Sequence, residues 1–257
     1  MALGWDYWVL KLDLQGNILW QNTIGGNSVD NLASIEQTND GGYICAGFSI
    51  SNISGTKTEN CRGHYDYWIV KLSQNGNIQW QRTIGGQDYD ELNSIVQTPD
   101  GGFICGGFSV SEISGDKTEM NYGYGDFWVI KIDSVGNTIW QNTIGGTNYD
   151  KLTAQLIKND GSVVIGGKSG SEYSGDKTSP SLGLGDNWIL KINANSNLIN
   201  GKVFTDINLD SAYTAGENTI DGLKITESTT GRISFTNFSG NYSLAIFDTG
   251  QYHISPS

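Results

Sequence analysis

Four short strings recur at intervals of 60 residues: Asp6-Tyr7-Trp8, Asp66-Tyr67-Trp68, Asp126-Phe127-Trp128 and Asp186-Asn187-Trp188, each followed by aliphatic residues and a lysine. Behind them stand Trp20, Trp80 and Trp140, each opening a W-Q-x-T-I-G-G string, and then Asp30, Asp90 and Asp150. A fixed period in this range restricts the chain to a solenoid, a propeller or an array. One such unit cannot bury its own apolar faces and must stack on the next.

The residues inside one period point to strands. Trp68 to Leu72 is β-rich, Gln74 to Asn77 contains an Asn-Gly turn, and Ile78 to Ile84 gives a second run. After Gly85-Gly86 come Leu92 to Thr98, the turn Pro99-Asp100-Gly101-Gly102, and Phe103 to Val110. These are two hairpins, hence four strands per repeat, with 111–125 as the one long polar connection. Apolar residues at helical spacing are absent, which excludes helical repeats. Four antiparallel strands and a short glycine link fit the blade of a β-propeller, with an all-β solenoid as the alternative.

The expected plan is an opening hairpin over 5–24, four-strand units over 32–84 and 92–144, a hairpin over 152–169 and a strand over 188–192. Natural propellers have about 4 to 8 blades, so a partial or incomplete ring is expected, with a small ring closed by pairing of the opening hairpin and the last one as the alternative. The tryptophans are expected to fill the wedges between neighbouring sheets, with each indole N–H on a carbonyl partner. The rival arrangement, a row of exposed sugar-stacking platforms, requires them to leave the core.

Composition agrees with this class. Glycine accounts for 35 residues, proline for 3, and charged residues for 16%. The net charge of −12 argues against nucleic acid, whose phosphates need clustered Lys and Arg, and leaves divalent cations or neutral ligands as partners. Cys45 and Cys105 stand 60 apart in apolar runs with Ile165 at the third equivalent position, so they read as buried hydrophobes. Cys61 lies alone in a loop. No apolar stretch approaches the ~20 residues of a transmembrane helix, and the N-terminus lacks the pattern of a secretory signal. Gly4-Trp5 aligns with His64-Tyr65, Tyr124-Gly125 and Leu184-Gly185, the tails of preceding repeats. The chain is therefore expected to be part of a longer protein.

After Asn193 to Asn197 the Trp-Gln string does not return. Domain one is expected over 1–197 and a second all-β module, a small and truncated β-sandwich, over 198–257. Strands are expected there at 202–205, 223–227, 232–236, 242–247 and 252–255. Asp206, Asn208 and Asp210 alternate, and Glu217 is twelfth from Asp206, the oxygen-ligand spacing of a Ca²⁺ loop. Ser211 stands where an EF-hand has its turn glycine, and a polar Asx-type turn remains the alternative.

The D-Y-W-(I/V)-(V/L)-K-L, G-N-I-x-W-Q-x-T-I-G-G, D-G-G-(Y/F)-I-C-x-G-F-S and S-G-D-K-T-E strings resemble the propeller-type repeats of large secreted proteins of Bacteroidota. That likeness covers Trp5 to Ile192 and implies export by type IX secretion and an extracellular or cell-surface location. From Gly201 onward, G-K-V-F-T-D-I-N-L-D, G-N-Y-S-L and T-G-Q-Y-H-I are similar to the B-type modules of bacterial surface adhesins. Those prealbumin-like sandwiches often hold calcium, which implies Asp206, Asn208, Asp210 and Glu217 as Ca²⁺ ligands.

Catalytic signatures are sparse. His64 and His253 do not recur, so neither a His-based triad nor a zinc site is expected. Gly115-Asp116-Lys117-Thr118, echoed at Gly55-Thr56-Lys57-Thr58 and Gly175-Asp176-Lys177-Thr178, lacks the first glycine of a P-loop and reads as a loop-shaping element. Asp13-Gly16-Trp20 and Asp133-Gly136-Trp140 resemble the tryptophan-docking motif of quinoprotein propellers, which keeps a propeller enzyme, quinoprotein-like or glycoside-processing, as the alternative. The recurring aspartates are expected to cap turns. The expected function is non-catalytic adhesion, display or ligand binding, through the long loops at 51–65, 111–125 and 171–185. The partner is a carbohydrate or protein at the cell surface, and aspartates with Tyr65 or Tyr124 could line a glycan-binding face.

Overall fold

The computed structural model describes residues 4–158, 161–183, 185–193, 197–202, 218–220, 223–227, 233–235, 241–246 and 254–256. Among them every regular element is a strand. The chain divides into two compact units, Met1–Ala194 and Asn195–Ser257.

The first unit opens with a hairpin of β1 (Tyr7–Leu12) and β2 (Ile18–Ile24). Blade 1 follows, an antiparallel sheet in sequence order of β3 (Asp30–Gln37), β4 (Tyr43–Ser49), β5 (Asp66–Leu72) and β6 (Ile78–Ile84). Blade 2 repeats it with β7 (Asp90–Gln97), β8 (Phe103–Ser109), β9 (Asp126–Ile132) and β10 (Thr138–Ile144). A three-stranded sheet of β11 (Asp150–Ile157), β12 (Ser162–Ser169) and β13 (Asp186–Asn193) completes the unit. These are propeller-like blades in an incomplete ring, and each blade begins with the second half of one sequence repeat. Among the described residues the sheets are open, with no closure into a barrel.

Alternation along the strands sets the packing, because side chains two apart share a face. Trp68, Val70 and Leu72 of β5 point back toward Tyr7, Val9 and Ile24 of the hairpin. Tyr67 and Ile69 point forward, with Ile44, Ala46 and Ile84, onto Leu92, Phe103, Cys105, Trp128 and Ile130 of blade 2. The same aromatic pair therefore joins each seam: Tyr7 with Trp68 at 4.7 Å, Tyr67 with Trp128 at 5.0 Å and Phe127 with Trp188 at 5.4 Å between ring centroids. Trp68 and Trp128 are fully buried, worth roughly 5 kcal/mol each as an upper bound for ~200 Å² of apolar surface. Trp8, whose incoming face meets no blade among the described residues, is 61% exposed.

The W-Q string has a specific task. Gln81 Oε1 accepts the indole N–H of Trp68 at 3.2 Å, and Gln141 Oε1 accepts that of Trp128 at 3.0 Å. The same amides donate to the carbonyls of Thr56 and Asp116, tying the fourth strand to the long loop. The second tryptophan of the repeat docks forward: Trp20 donates to the carbonyl of Gln74 in the β5–β6 turn of blade 1, at 3.2 Å. That turn carries Gly76 at φ 82°, where a side chain would be strained and would strike the Trp20 ring.

The second unit holds two small antiparallel sheets. β14 (Asn197–Lys202) pairs with β17 (Asn241–Ile246), and β15 (Lys224–Glu227) lies between β16 (Ile233–Phe235) and β18 (Ile254–Pro256). The first strand starts five residues earlier than sequence pattern suggested, because Asn197–Lys202 finds a full-length partner in Asn241–Ile246.

Candidate functional site

The long loops between β4 and β5, β8 and β9, and β12 and β13, with the links between blades, lie at the end of the sheets where β3, β7 and β11 begin. At each seam the backbone N–H of the first aspartate of a blade donates to the loop before the preceding third strand. Asp30 bonds Trp5 at 2.6 Å, Asp90 bonds Tyr65 at 2.7 Å and Asp150 bonds Gly125 at 2.8 Å. The loops approach so closely that a Cβ on Gly63 would lie 2.4 Å from the Gln87 backbone, and one on Gly123 would lie 2.4 Å from Thr147.

This close approach gathers aromatic rings on the outer surface. At the second seam His64 stacks on Tyr89 with centroids 4.7 Å apart and planes at 6°. Tyr65 meets Tyr89 edge-on at 5.1 Å and is backed by Phe48 at 4.8 Å. At the third seam Tyr124 stacks on Tyr149 at 5.6 Å and 22°, with Phe108 behind at 6.0 Å. Lys151 sits over Phe108 and pairs with Glu91 at 2.6 Å. Tyr89, Tyr124 and Tyr149 are 40%, 68% and 55% exposed. Two platforms of like construction thus stand one blade apart, each flanked by an exposed polar side chain, Asp88 or Asn148.

Beneath the rings the polar groups are structural. Asp30, Asp90 and Asp150 each use Oδ2 to accept a glycine N–H of the preceding Gly-Gly link, Gly26, Gly86 or Gly146, and a serine hydroxyl, Ser51, Ser111 or Ser171. These are the turn caps expected of recurring aspartates. The G-D-K-T strings form tight turns in which Gly55, Gly115 and Gly175 have φ of 55°, 56° and 57°. Each turn bonds back to the link before its blade, through Thr56, Asp116 or Asp176 N–H to the carbonyl of Gly25, Gly85 or Gly145.

The lysine of that string is buried rather than offered to a ligand. Lys57 donates to Thr83 Oγ1 at 2.6 Å beneath the Trp68 ring, and Lys117 donates to Thr143 Oγ1 at 2.7 Å beneath Trp128. Burial pushes the Lys117 ammonium down to about 8, against the opposing pull of Glu119, Asp90 and Asp126. A phosphate could reach neither lysine without unpacking a blade.

Other residues singled out in the sequence fall into place. Cys45 and Cys105 are free, buried thiols, and burial pushes the Cys45 thiol up to about 12. Cys61 donates to the carbonyl of Ser49 at 3.0 Å, and burial raises its thiol to about 11. Asp13 and Asp133 hold their hairpin turns through the N–H groups of Gln15 and Asn17, and of Val135 and Asn137. Asp206, Asn208, Asp210, Glu217 and His253 lie outside the described residues. Among the described residues no group of three His, Cys, Asp or Glu side chains is arranged to hold a metal ion. No helix among them is long and apolar enough to cross a membrane.

Sequence pattern named Tyr65 and Tyr124 but missed Tyr89 and Tyr149, which complete the two platforms. The signal was available in part. Tyr89 and Tyr149 are 60 apart, but Val29 at the first equivalent position breaks the series.

No family model matches the chain, and no curated protein matches it. Among solved structures, a variant of the Synechocystis apocarotenoid oxygenase is similar at a TM-score of 0.37 and 12% identity, over 97% of this chain and 58% of that one. A second variant of the same oxygenase gives 0.35 and 13%, over 96% and 58%. The chain spans a little over half the length of those structures, and a likeness this distant carries no argument about activity.

Proposed function

We propose that the chain is a non-catalytic, ligand-binding repeat protein whose loop face takes carbohydrate. The observation that carries this reading is the recurrence of an exposed, pre-stacked ring pair at equivalent seams, His64 with Tyr89 and Tyr124 with Tyr149. A sugar ring lays its C–H face on such a platform, and rings held by neighbours lose little entropy on binding. Net charge −12 favours neutral over sulfated or acidic glycans.

The carboxylates support absence of catalysis. Asp66, Asp90, Asp126 and Asp150 are fully buried under the rings, out of reach of a glycosidic bond. A glycan array probed with the whole chain tests the reading: binding to neutral glycans is expected, with loss in a Tyr89→Ala, Tyr149→Ala variant. Silence across a broad neutral array overturns it.

The setting proposed is extracellular or cell-surface, supported by the likeness of the 60-residue strings to secreted repeat proteins. The adhesin-type module is proposed to bind Ca²⁺ through Asp206, Asn208, Asp210 and Glu217, supported by their ligand spacing. Calorimetric titration should give saturable Ca²⁺ binding, lost in an Asp206→Ala, Asp210→Ala variant. Equal heats from both proteins would reduce the segment to a polar turn.

A further inference from the structure

The W-Q-x-T-I-G-G string ends in two glycines for a reason that reaches beyond backbone shape. At the third seam three carboxylates converge on Gly145-Gly146. Asp176 Oδ2 accepts the N–H of Gly145 at 3.2 Å, and Asp150 Oδ2 accepts that of Gly146 at 2.8 Å. Asp126 Oδ1 lies over Gly145 so closely that a Cβ there would stand 2.0 Å from it. Asp126 and Asp150 come from neighbouring sheets, are both 0% exposed, and are linked through the bond from Asp150 N–H to the Gly125 carbonyl. Each uses Oδ2: that of Asp126 accepts the Tyr122 N–H at 2.6 Å, and that of Asp150 also accepts the Ser171 hydroxyl at 2.7 Å. Each leaves Oδ1 buried with no hydrogen-bond partner.

A buried carboxylate with an orphaned oxygen, set beside a second buried carboxylate, needs a cation or a proton. Calcium requires six to eight oxygens, and among the described residues no group of three carboxylates, these included, is arranged to hold a metal ion. A single proton on that oxygen is enough. We propose that Asp126, packed beside the buried carboxylate of Asp150, holds a proton as pH approaches neutrality, and that its loss loosens the seam between blade 2 and the three-stranded sheet.

The surrounding charges agree. Burial, more than anything else, pushes the Asp126 carboxyl up to about 7; the Tyr122 N–H and the Lys117 ammonium oppose this, while the charges of Asp150 and Asp176 add to it. Lys117 answers in turn to Glu119, Asp90 and Glu112. At the second seam Asp66, Asp90 and Asp116 converge in the same way on Gly85-Gly86, but Arg62 is present there, paired with Asp116 at 2.6 Å. Tyr122 occupies the equivalent place at the third seam. The third seam lacks the arginine of its neighbour, while the second seam shares the buried, unpartnered Oδ1 atoms on Asp66 and Asp90.

The sign follows from linkage. The folded chain keeps a proton that the unfolded chain has lost above its ordinary value of 3.8, so stability falls as pH rises from there toward about 7 and then levels off. The test is carboxyl ¹³C NMR on the aspartate-labelled whole chain, with urea unfolding across the same pH range. The Asp126 resonance should titrate between about pH 6 and about 8, and Asp126→Asn, the neutral isostere, should flatten the fall in unfolding midpoint between about pH 4 and about 7. An Asp126 carboxyl already ionised at about pH 5 would overturn the proposal. So would a saturable rise in unfolding midpoint with Ca²⁺ that Asp126→Asn abolishes, since that assigns the pair to a metal. Should Asp126→Asn fail to fold, the wild-type NMR titration decides alone.

Discussion

Tyr67 donates its hydroxyl to the backbone carbonyl of Trp128, 61 residues away and in the next blade, at 2.9 Å. Tyr7 makes the same bond to Trp68 at 3.0 Å. A side chain that both stacks on the neighbour's tryptophan and occupies its carbonyl locks the two sheets in one register. At the third seam Phe127 keeps the ring and lacks the hydroxyl.

Tyr67→Phe removes the bond while preserving the packing, and strands a buried carbonyl. It should cost about 1–2 kcal/mol, read from urea unfolding. Tyr67→Ala, which also opens a cavity against Trp128, should cost about 3–5 kcal/mol. Equal costs for the two would mean that the hydroxyl carries the seam and the ring does not.

Gly145→Ala places a methyl 2.0 Å from Asp126 Oδ1, whereas a Cβ on Gly183 meets nothing within 4 Å. The first substitution should destabilise by about 2 kcal/mol or more and the second by less than about 0.5. Thermal unfolding of both variants compares them directly.

The acid limb has a different origin. Although burial alone would raise it, the Asp100 carboxyl is held down to about 2 by the Lys131 ammonium, the Thr98 hydroxyl and the Gly102 N–H. Its folded value is depressed, so the stabilisation is present above 3.8 and disappears as pH falls through about 2. With Asp100 half exposed, solvent screening limits the pair to less than about 1 kcal/mol. Asp100→Asn should lower the unfolding midpoint slightly at neutral pH and leave it unchanged at about pH 2.

The fold is written plainly where the chemistry repeats. Trp68, Trp128 and the alternation of β5 and β9 declare strands and a buried wedge without any knowledge of the partner. What stayed hidden depends on groups that meet only after folding. Gln81 reads as an ordinary strand polar residue, yet its amide serves both Trp68 and Thr56. The Gly85-Gly86 pair reads as a turn, and only the approach of Asp66 and Ser111 explains why neither can carry a side chain. The aromatic platforms combine Tyr124 from one loop with Tyr149 from the next link, a pairing set by the seam and not by local sequence.

The loop face is the centre of the account, and saturation-transfer NMR with a neutral glycan selected on the array examines it most directly. Irradiating tyrosine ring protons should transfer magnetisation to one C–H face of the sugar, and Tyr89→Ala with Tyr149→Ala should abolish that transfer while the unfolding free energy stays within about 0.5 kcal/mol of wild type. Undiminished transfer in the folded double variant would contradict the account and move the binding surface away from these rings.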